Sequence, residues 1–175
     1  RHAGHAYLAR LFAAGEKALG VFAFGSAADF FTFCAEWKAA EDAESSSLVF
    51  RAKVMLCSIL ISKGKPAEAA VRLEALLPLA PERELADVYR FLSLACCRTG
   101  DLARCEELTR KGLSLLGESV PSCVFPGIIS LLLRLLFLTL RRSAPVSSAV
   151  KIHKARAAIF FWGNMARLYG PRKFR

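Results

Sequence analysis

The chain contains 175 residues, 54% of them hydrophobic, and only 7 prolines. This composition excludes a disordered segment and suits either one core or about four helical hairpins of ~34 to 42 residues each. The net charge of +10 is unevenly placed, because residues 1–118 hold 15 Lys+Arg and 15 Asp+Glu whereas residues 119–175 hold 10 Lys+Arg and no acidic residue.

The first predicted hairpin begins with an alanine-rich helical pattern over Ala6–Phe24. Gly25-Ser26 interrupts this pattern, and a second helix is predicted over Ala27–Ala43, with Ser26 as its N-cap and Asp29 as the acidic partner in its first turn. Three consecutive serines, Ser45–Ser47, then indicate a loop.

The second predicted hairpin consists of a helix over Leu48–Ser62, a break at Lys63-Gly64-Lys65 and a helix over Pro66–Leu77. Proline suits the first position of a helix, since its missing N–H would have no partner there. Pro78 and Pro81 close the hairpin.

The third predicted hairpin is the most regular and runs from Glu84 to Gly117, with apolar residues at helical spacing in both halves. Between the halves lies Thr99-Gly100-Asp101. Gly100 can adopt the left-handed conformation that ends a helix, and Asp101 can cap the next one. A hairpin this thin cannot bury its own apolar faces, so it needs neighbours of the same kind.

The hairpins repeat along the chain. Placing Gly64 over Gly100 gives a 36-residue offset that also aligns Leu56 with Leu92 and Ala69 with Cys105, and the first hairpin fits about 42 residues earlier. The pattern resembles the tetratricopeptide repeat, although Lys53 stands where the motif usually has tryptophan and Gly117 replaces a closing proline. The matching positions are Leu56, Ala69 and Pro81 in the second hairpin and Gly15, Ala27 and Phe31 in the first.

These patterns predict an all-α protein in which antiparallel helical hairpins stack as a tetratricopeptide-like α-solenoid over residues 1–118. Residues 119–175 are predicted to form a basic, apolar helical extension of the same solenoid. A last helix over about 147–168 would present Ile159, Phe160, Trp162 and Met165 on an apolar face before Gly170-Pro171.

The most apolar run, Ile128–Leu140, has 13 residues and would be ~20 Å long as a helix, against the ~30 Å of a bilayer core. Arg134 in its middle further disfavours a membrane span. We therefore expect this run to form a helix that is covered by other helices. The alternative is peripheral membrane contact through residues 128–156, with cations meeting anionic lipid at Arg141, Arg142, Lys151, Lys154 and Arg156.

No catalytic, cofactor-binding or metal-ligating residue is predicted. His2 and His5 lack further spaced ligands, His153 falls among lysines, and Ser58 and Ser93 have no histidine and carboxylate in a nucleophilic arrangement. Aromatic residues near the basic end lie at core spacing, so nucleic acid is not an expected partner. The six cysteines are expected to be small buried hydrophobes in a reducing compartment, with adjacent Cys96 and Cys97 pointing to different sides of their helix: Cys34, Cys57, Cys96, Cys97, Cys105 and Cys123.

The stretch from Tyr89 to Leu133, with RKGLSLLGESVPSCVFPGIISLLL, and the later KARAAIFFWGNMARLYG resemble the C-terminal helical region of soluble adenylyl cyclase and, more distantly, the repeat regions of large signalling ATPases. In that family a leucine pair, a proline-containing loop, an aliphatic helix, a basic linker and an aromatic-rich helix follow one another. The matching segments are Leu115-Leu116, Pro121–Pro126, Ile128–Leu140, Arg141-Arg142 and Ala157–Tyr169, and Ala13–Leu19 with Ala27–Ala35 resemble the preceding hairpin.

The resemblance implies a cytoplasmic parent that makes cAMP and pyrophosphate from ATP, with divalent Mg or Ca ions and a response to bicarbonate. A cyclase site needs two carboxylates that hold metal ions, but the aspartates of this chain are scattered: Asp29, Asp42, Asp87 and Asp101. The G-x-x-x-x-G-K-[ST] loop of an ATPase does not occur in this sequence either. We therefore expect a non-catalytic scaffold or regulatory segment of a longer protein, running here from Arg1 to Arg175. Its partners would be other domains of the parent or separate proteins.

Overall fold

The computed structural model describes residues 2–37, 43–117, 159–161 and 163. Within these ranges the chain is helical and contains no strand, which confirms the predicted all-α class. The elements are α1 (His2–Gly20), α2 (Phe24–Ala35), α3 (Ala43–Ser62), α4 (Pro66–Leu76) followed by a 3-10 turn (Leu77–Leu79), α5 (Glu82–Thr99) and α6 (Leu102–Leu115).

The predicted chemistry of the third turn is confirmed. Gly100 has φ +87° and ends α5 in the left-handed conformation. Asp101 caps α6, since its Oδ1 accepts a hydrogen bond from the backbone N–H of Arg104 at 3.1 Å. In the second turn Gly64 has φ +78°, and Pro66 opens α4 as expected.

The first turn differs from the prediction. Gly25 and Ser26 lie inside α2, which begins at Phe24, and Ser26 is therefore not its N-cap; Ala23 holds that position without a side-chain hydrogen bond. The left-handed residue of this turn is Phe22, at φ +60°. The prediction failed because it assumed a glycine or a capping side chain at this turn, whereas the left-handed residue is an exposed phenylalanine.

The predicted loop at Ser45–Ser47 is also wrong, because α3 begins at Ala43 and includes all three serines. Helices α1 and α5 supply polar partners at this point. Ser45 Oγ lies 3.1 Å from His5 Nδ1, and Ser47 Oγ donates a hydrogen bond to Glu84 Oε1 at 2.8 Å. Tertiary hydrogen bonds thus outweigh the turn preference of serine.

Helix α3 lies between two hydrophobic cores. Ala52 and Ile59 of α3 pack with α1 and α2, whereas Val54 and Ile61 pack with α4, α5 and α6. Each helix contacts the next along the chain, and α3 also contacts α1 and α5. Among the described residues α3 is the one helix with the length and mean hydropathy, 1.4, of a membrane span, and half of that apolar window is buried inside the protein.

Two glycines let aromatic rings approach a helix backbone. A Cβ at Gly15 would lie 2.8 Å from the ring of Phe31, and a Cβ at Gly112 would lie 2.1 Å from Cζ of Phe161. Phe161 is fully buried and belongs to the core of α4, α5 and α6. The predicted apolar face of the last helix is corrected in part. Phe161, which was not placed on that face, is fully buried and Ile159 is 65% exposed, whereas Phe160 is partly buried against the same core. Trp162 and Met165 lie outside the described residues.

Candidate functional site

The described residues form a groove where α3 and α5 begin, and we call it the α3–α5 groove. Its volume is about 630 Å³, and its lining residues are Ala43, Ser46, Ser47, Phe50, Leu79, Pro81, Glu82 and Arg83. Phe50 is buried, whereas Leu79 is 71% exposed. The groove thus combines an apolar surface with a few polar groups, which is the composition of a ligand or peptide site.

The polar groups of the groove are engaged with one another. Ser47 donates to the buried carboxylate of Glu84, and Nε of Arg83 lies 3.7 Å from the same Oε1 atom. Arg83 Nη2 donates to the carbonyl oxygen of Ala43 at 3.2 Å. These bonds fix the start of α3 against the start of α5, so the groove has a defined shape.

Two arginines on α3 and α5 lie against phenylalanine rings. The Arg51 guanidinium is 4.6 Å from the ring centre of Phe12 and 3.6 Å from Glu16. The Arg90 guanidinium is 4.2 Å from the ring centre of Phe91, and its Nη2 lies 3.0 Å from Asp87. Each cation is already paired with a carboxylate and a ring, which makes these residues parts of the helix packing.

A third feature is an exposed aromatic cluster on α1 and α2. The ring of Trp37 lies 5.9 Å from Tyr7 and 5.9 Å from Phe33, and both neighbours are about half exposed. Grouped exposed aromatics of this kind are typical of protein interaction surfaces.

The histidine predicted as an unlikely metal ligand has other partners. His5 faces the start of α3, with Nδ1 at 3.1 Å from Ser45 and Nε2 at 3.5 Å from Glu44. Among the described residues no group of three or more His, Cys, Asp or Glu side chains is placed to hold a metal ion. The side chain of His2, together with Asp42 and His153, lies outside the described residues.

The two serines considered as nucleophiles bond within their own helices. Ser58 donates to the carbonyl of Met55 at 2.7 Å, and Ser93 donates to the carbonyl of Arg90 at 2.9 Å. The described aspartates do not converge: Asp29 is exposed on α2, Asp87 pairs with Arg90, and Asp101 caps α6.

The cysteines behave largely as expected. Cys34, Cys57, Cys96 and Cys105 are buried, and all the described cysteines are free thiols. Burial raises the pKa of Cys57 to about 11 and that of Cys105 to about 12, so both stay protonated at neutral pH. Cys123 lies outside the described residues.

Sequence reasoning missed the groove on this surface. The α3–α5 groove joins residues about 35 positions apart, and no local motif reports such a contact. The predicted membrane-contact segment, 128–156, lies outside the described residues.

Comparisons with known proteins identify no relative of this chain. The chain matches no protein-family model, no curated protein and no solved structure.

Proposed function

We propose that the chain is a non-catalytic helical-repeat scaffold of the tetratricopeptide-like kind, with three stacked hairpins continued by residues 119–175. The observation that carries the proposal is the repeated turn geometry. The left-handed residues in the turns within the three hairpins are Phe22, Gly64 and Gly100, which are 42 and 36 residues apart, as in the alignment of the repeat motif.

The hydrogen bonds of the three turns follow the same offsets. Each turn is closed by a backbone bond that reaches five residues back, at 2.9 to 3.0 Å, and each following helix begins two residues after its left-handed residue. The bonds run from Ala23 to Ala18, from Lys65 to Leu60 and from Asp101 to Cys96. Equal turns joining helices of similar length favour a common hairpin unit over an irregular bundle.

Burial at equivalent positions supports the same conclusion. Ala27, Ala69 and Cys105 are each fully buried, and they share one position of the repeat. Short side chains there let the two helices of a hairpin approach closely. Because α3 contributes to both cores, neighbouring units support each other, and an array of this kind offers an extended docking surface.

The proposed role is to dock a partner on the α3–α5 groove and the neighbouring helix faces. The sequence resemblance suggests that the partner is a catalytic domain of a soluble adenylyl cyclase, which the scaffold would position in the cytoplasm. ATP, its divalent metal ions and bicarbonate would then act in that parent and not on this segment.

The test is binding of the purified chain to the cyclase catalytic domains, measured by isothermal titration calorimetry. Leu79→Glu places a charge on the groove, and Val71→Glu is the matched control because Val71 is 69% exposed on α4 outside the groove lining. We expect Leu79→Glu to weaken binding at least tenfold and Val71→Glu to leave it unchanged. No binding by the wild type, or ATP turnover by the isolated chain, would overturn the proposal.

The alternative role is peripheral membrane binding, which the acid-free charge of residues 119–175 favours. Co-sedimentation with vesicles that contain or lack anionic lipid separates the two roles. Salt-sensitive sedimentation that is lost in the Arg141→Glu/Arg142→Glu variant would support the membrane role. Equal recovery in the supernatant with both vesicle types would exclude it.

A further inference from the structure

The turn of the first hairpin carries two exposed apolar side chains. Val21 is 74% exposed and Phe22 is 78% exposed, more than any other large hydrophobic residue that the structure describes. Neither belongs to a hydrophobic core of the described residues, and the Phe22 ring lies edge-on to that of Phe24, with 6.2 Å between the ring centres. We call Val21 and Phe22 the apolar tip.

The other two hairpins have polar residues and a glycine at the same place. Their turns read Lys63-Gly64-Lys65 and Thr99-Gly100-Asp101, and Phe22 stands where both have the left-handed glycine. Phe22 has φ +60°, a conformation that is strained for a residue with a side chain. The turn itself does not require a ring, which indicates a role for Phe22 outside the hairpin.

The backbone of this turn is already satisfied. Each N–H group from residue 21 to residue 24 donates a hydrogen bond within the hairpin, at 2.9 to 3.2 Å. The acceptors are, in order, the carbonyl oxygens of Lys17, Leu19, Ala18 and Phe22. A segment that leaves water for lipid must have its backbone polar groups paired internally. These N–H groups therefore meet the condition for leaving water.

The first and second turns lie at the same end of the protein. Near the starts of α1 and α3, Nδ1 of His5 lies 3.1 Å from Ser45 Oγ, and further along both helices Arg51 Nη2 lies 3.6 Å from Glu16 Oε1. The contacts follow the same order along α1 and α3, so these helices are parallel. They have 19 and 20 residues. Their ends, and the turns that follow them, are therefore neighbours.

Lysines flank the apolar tip at this end. Lys17 is exposed in the last turn of α1, and Lys63 and Lys65 are exposed at the second turn. Lys65 lies 3.9 Å from Glu68, which also pairs with Arg72. Within the part of the chain that the structure describes, Lys17 and Lys63 take part in no ion pair.

The carboxylates nearest to the apolar tip in sequence do not cancel this charge. Glu16 pairs with Arg51, and Asp29 lies in the second turn of α2. The surface around the apolar tip therefore carries a net positive charge.

We propose that the apolar tip inserts into the surface of an anionic lipid bilayer, where Lys17, Lys63 and Lys65 bind the headgroups. Apolar side chains beside lysines suit such a surface, since the chains enter the acyl boundary and the cations meet anionic lipid. The site differs from residues 128–156 and from the α3–α5 groove, and it does not depend on the scaffold role.

Two properties favour lipid over a protein as the occupant. An exposed valine and phenylalanine offer roughly 300 Å² of contact area, whereas a standard protein interface takes about 800 Å² from each partner. The lysines would also repel the same surface of a second copy of this chain. A bilayer needs no matching shape and supplies the opposite charge.

The experiment measures co-sedimentation of the purified full chain with vesicles of equal parts phosphatidylcholine and phosphatidylserine, and with vesicles of phosphatidylcholine alone. We expect the wild type to bind the anionic vesicles more strongly. Phe22→Gly removes the ring and relaxes the turn, so it should weaken this binding about fivefold or more without unfolding the protein. Leu79→Ser is the matched control, because Leu79 is 71% exposed at the opposite end of the helices and should not contribute.

A second matched pair tests the charges. Lys63→Gln should weaken binding to the anionic vesicles about fivefold. Lys53→Gln removes an exposed cation from α3 about 15 Å from Lys63 along the helix and should leave binding unchanged.

Quenching of tryptophan fluorescence by brominated lipid identifies the side chain that enters the bilayer. With anionic vesicles, Phe22→Trp should be quenched more strongly than the wild type, whereas Leu79→Trp should be quenched no more than the wild type. Lipid contact by another segment does not reproduce this difference, because the two variants share every other residue.

Three results would overturn the proposal. They are wild-type binding that does not depend on anionic lipid, Phe22→Gly binding equal to that of the wild type, and equal quenching of Phe22→Trp and Leu79→Trp. A wild-type dimer that Phe22→Gly converts to a monomer in light scattering would also refute it, since the apolar tip would then be a protein contact. Calorimetry with the cyclase domains should not change in Phe22→Gly, so the scaffold role is tested separately.

Discussion

Replacing Gly112 by alanine should destabilise the protein, although alanine is the better helix former. An added Cβ would lie 2.1 Å from Cζ of Phe161, and two further ring atoms would lie at 2.6 and 2.8 Å. Ordinary carbon contacts are ~3.5 to 4.0 Å, so the ring would have to move by roughly 1.5 Å. Phe161 is fully buried, which leaves little room for that movement.

The magnitude follows from two opposing effects. Overpacking a filled core costs about 1 to 3 kcal/mol, whereas replacing glycine by alanine within a helix gains up to ~1 kcal/mol. The control is Gly20→Ala in α1, where no atom would lie within 4 Å of the new Cβ. We therefore expect the unfolding free energy of Gly112→Ala to lie about 1 to 3 kcal/mol below that of Gly20→Ala.

Urea denaturation followed by far-UV circular dichroism measures both variants. Phe161→Leu shortens the ring that clashes, so the double variant with Gly112→Ala should recover part of the loss, with a coupling of about 1 kcal/mol or more. If Gly112→Ala proves as stable as Gly20→Ala, Phe161 does not rest on α6. The continuation of the core into residues 159–161 would then be refuted.

Three further predictions concern the turns, the groove and the thiols. Gly64→Ala should cost ~1 to 2 kcal/mol of unfolding free energy because Gly64 is left-handed, whereas Phe22→Gly should gain up to ~1 kcal/mol by relieving the same strain. Ser47→Ala should cost ~1 to 3 kcal/mol in thermal denaturation, since it removes the hydrogen bond to the buried Glu84 carboxylate. Burial raises the pKa of the Cys105 thiol above its value in the unfolded chain. The unfolded chain therefore loses this proton first, and the free energy of unfolding should fall as the pH rises above the unfolded pKa.

Two of these predictions have a comparison variant within the chain. Ser62→Ala removes an exposed hydroxyl from the same helix and should change stability by less than about 0.5 kcal/mol. Cys105→Ala suits a position held by Ala69 elsewhere and should flatten the alkaline loss of stability; Cys97 and Cys96, the titratable neighbours of Cys105, remain in that variant. An unchanged pH profile, or a Gly64→Ala variant as stable as the wild type, would contradict the respective reasoning.

Much of the fold could be predicted because it depends on short-range sequence patterns. The turn at Gly100-Asp101 combines a left-handed glycine with a capping aspartate, and Pro66 opens α4 in the expected way. The repeat alignment singled out Gly15, Ala27 and Phe31 in the first hairpin. These residues are buried in the structure, and the Phe31 ring lies against Gly15.

The errors occurred where distant residues decide the local structure. Ser45 and Ser47 join α3 because α1 and α5 supply their hydrogen-bond partners, and a serine cluster alone cannot reveal that. Phe22 adopts the left-handed conformation without being glycine. The 42-residue offset already pointed to it, since it places Phe22 over Gly64.

The candidate site was less predictable than the fold. The groove forms only when the starts of α3 and α5 meet, and its polar side chains, such as Arg83, carry no motif. The buried face of the last helix was predicted only in part, since Phe160 packs against the core but Ile159 is exposed and the buried Phe161 was missed. The Phe161 ring lies against Gly112 on another helix, and the local pattern does not show that contact.

The shared position of α3 between two cores is tested most directly by methyl nuclear Overhauser contacts from Ile59 and Ile61 in the full chain. We predict that Ile59 contacts the core that contains Phe12 and Phe31, and that Ile61, two residues further along α3, contacts the core that contains Leu92. Contacts from both isoleucines to a single core would contradict the stacked arrangement.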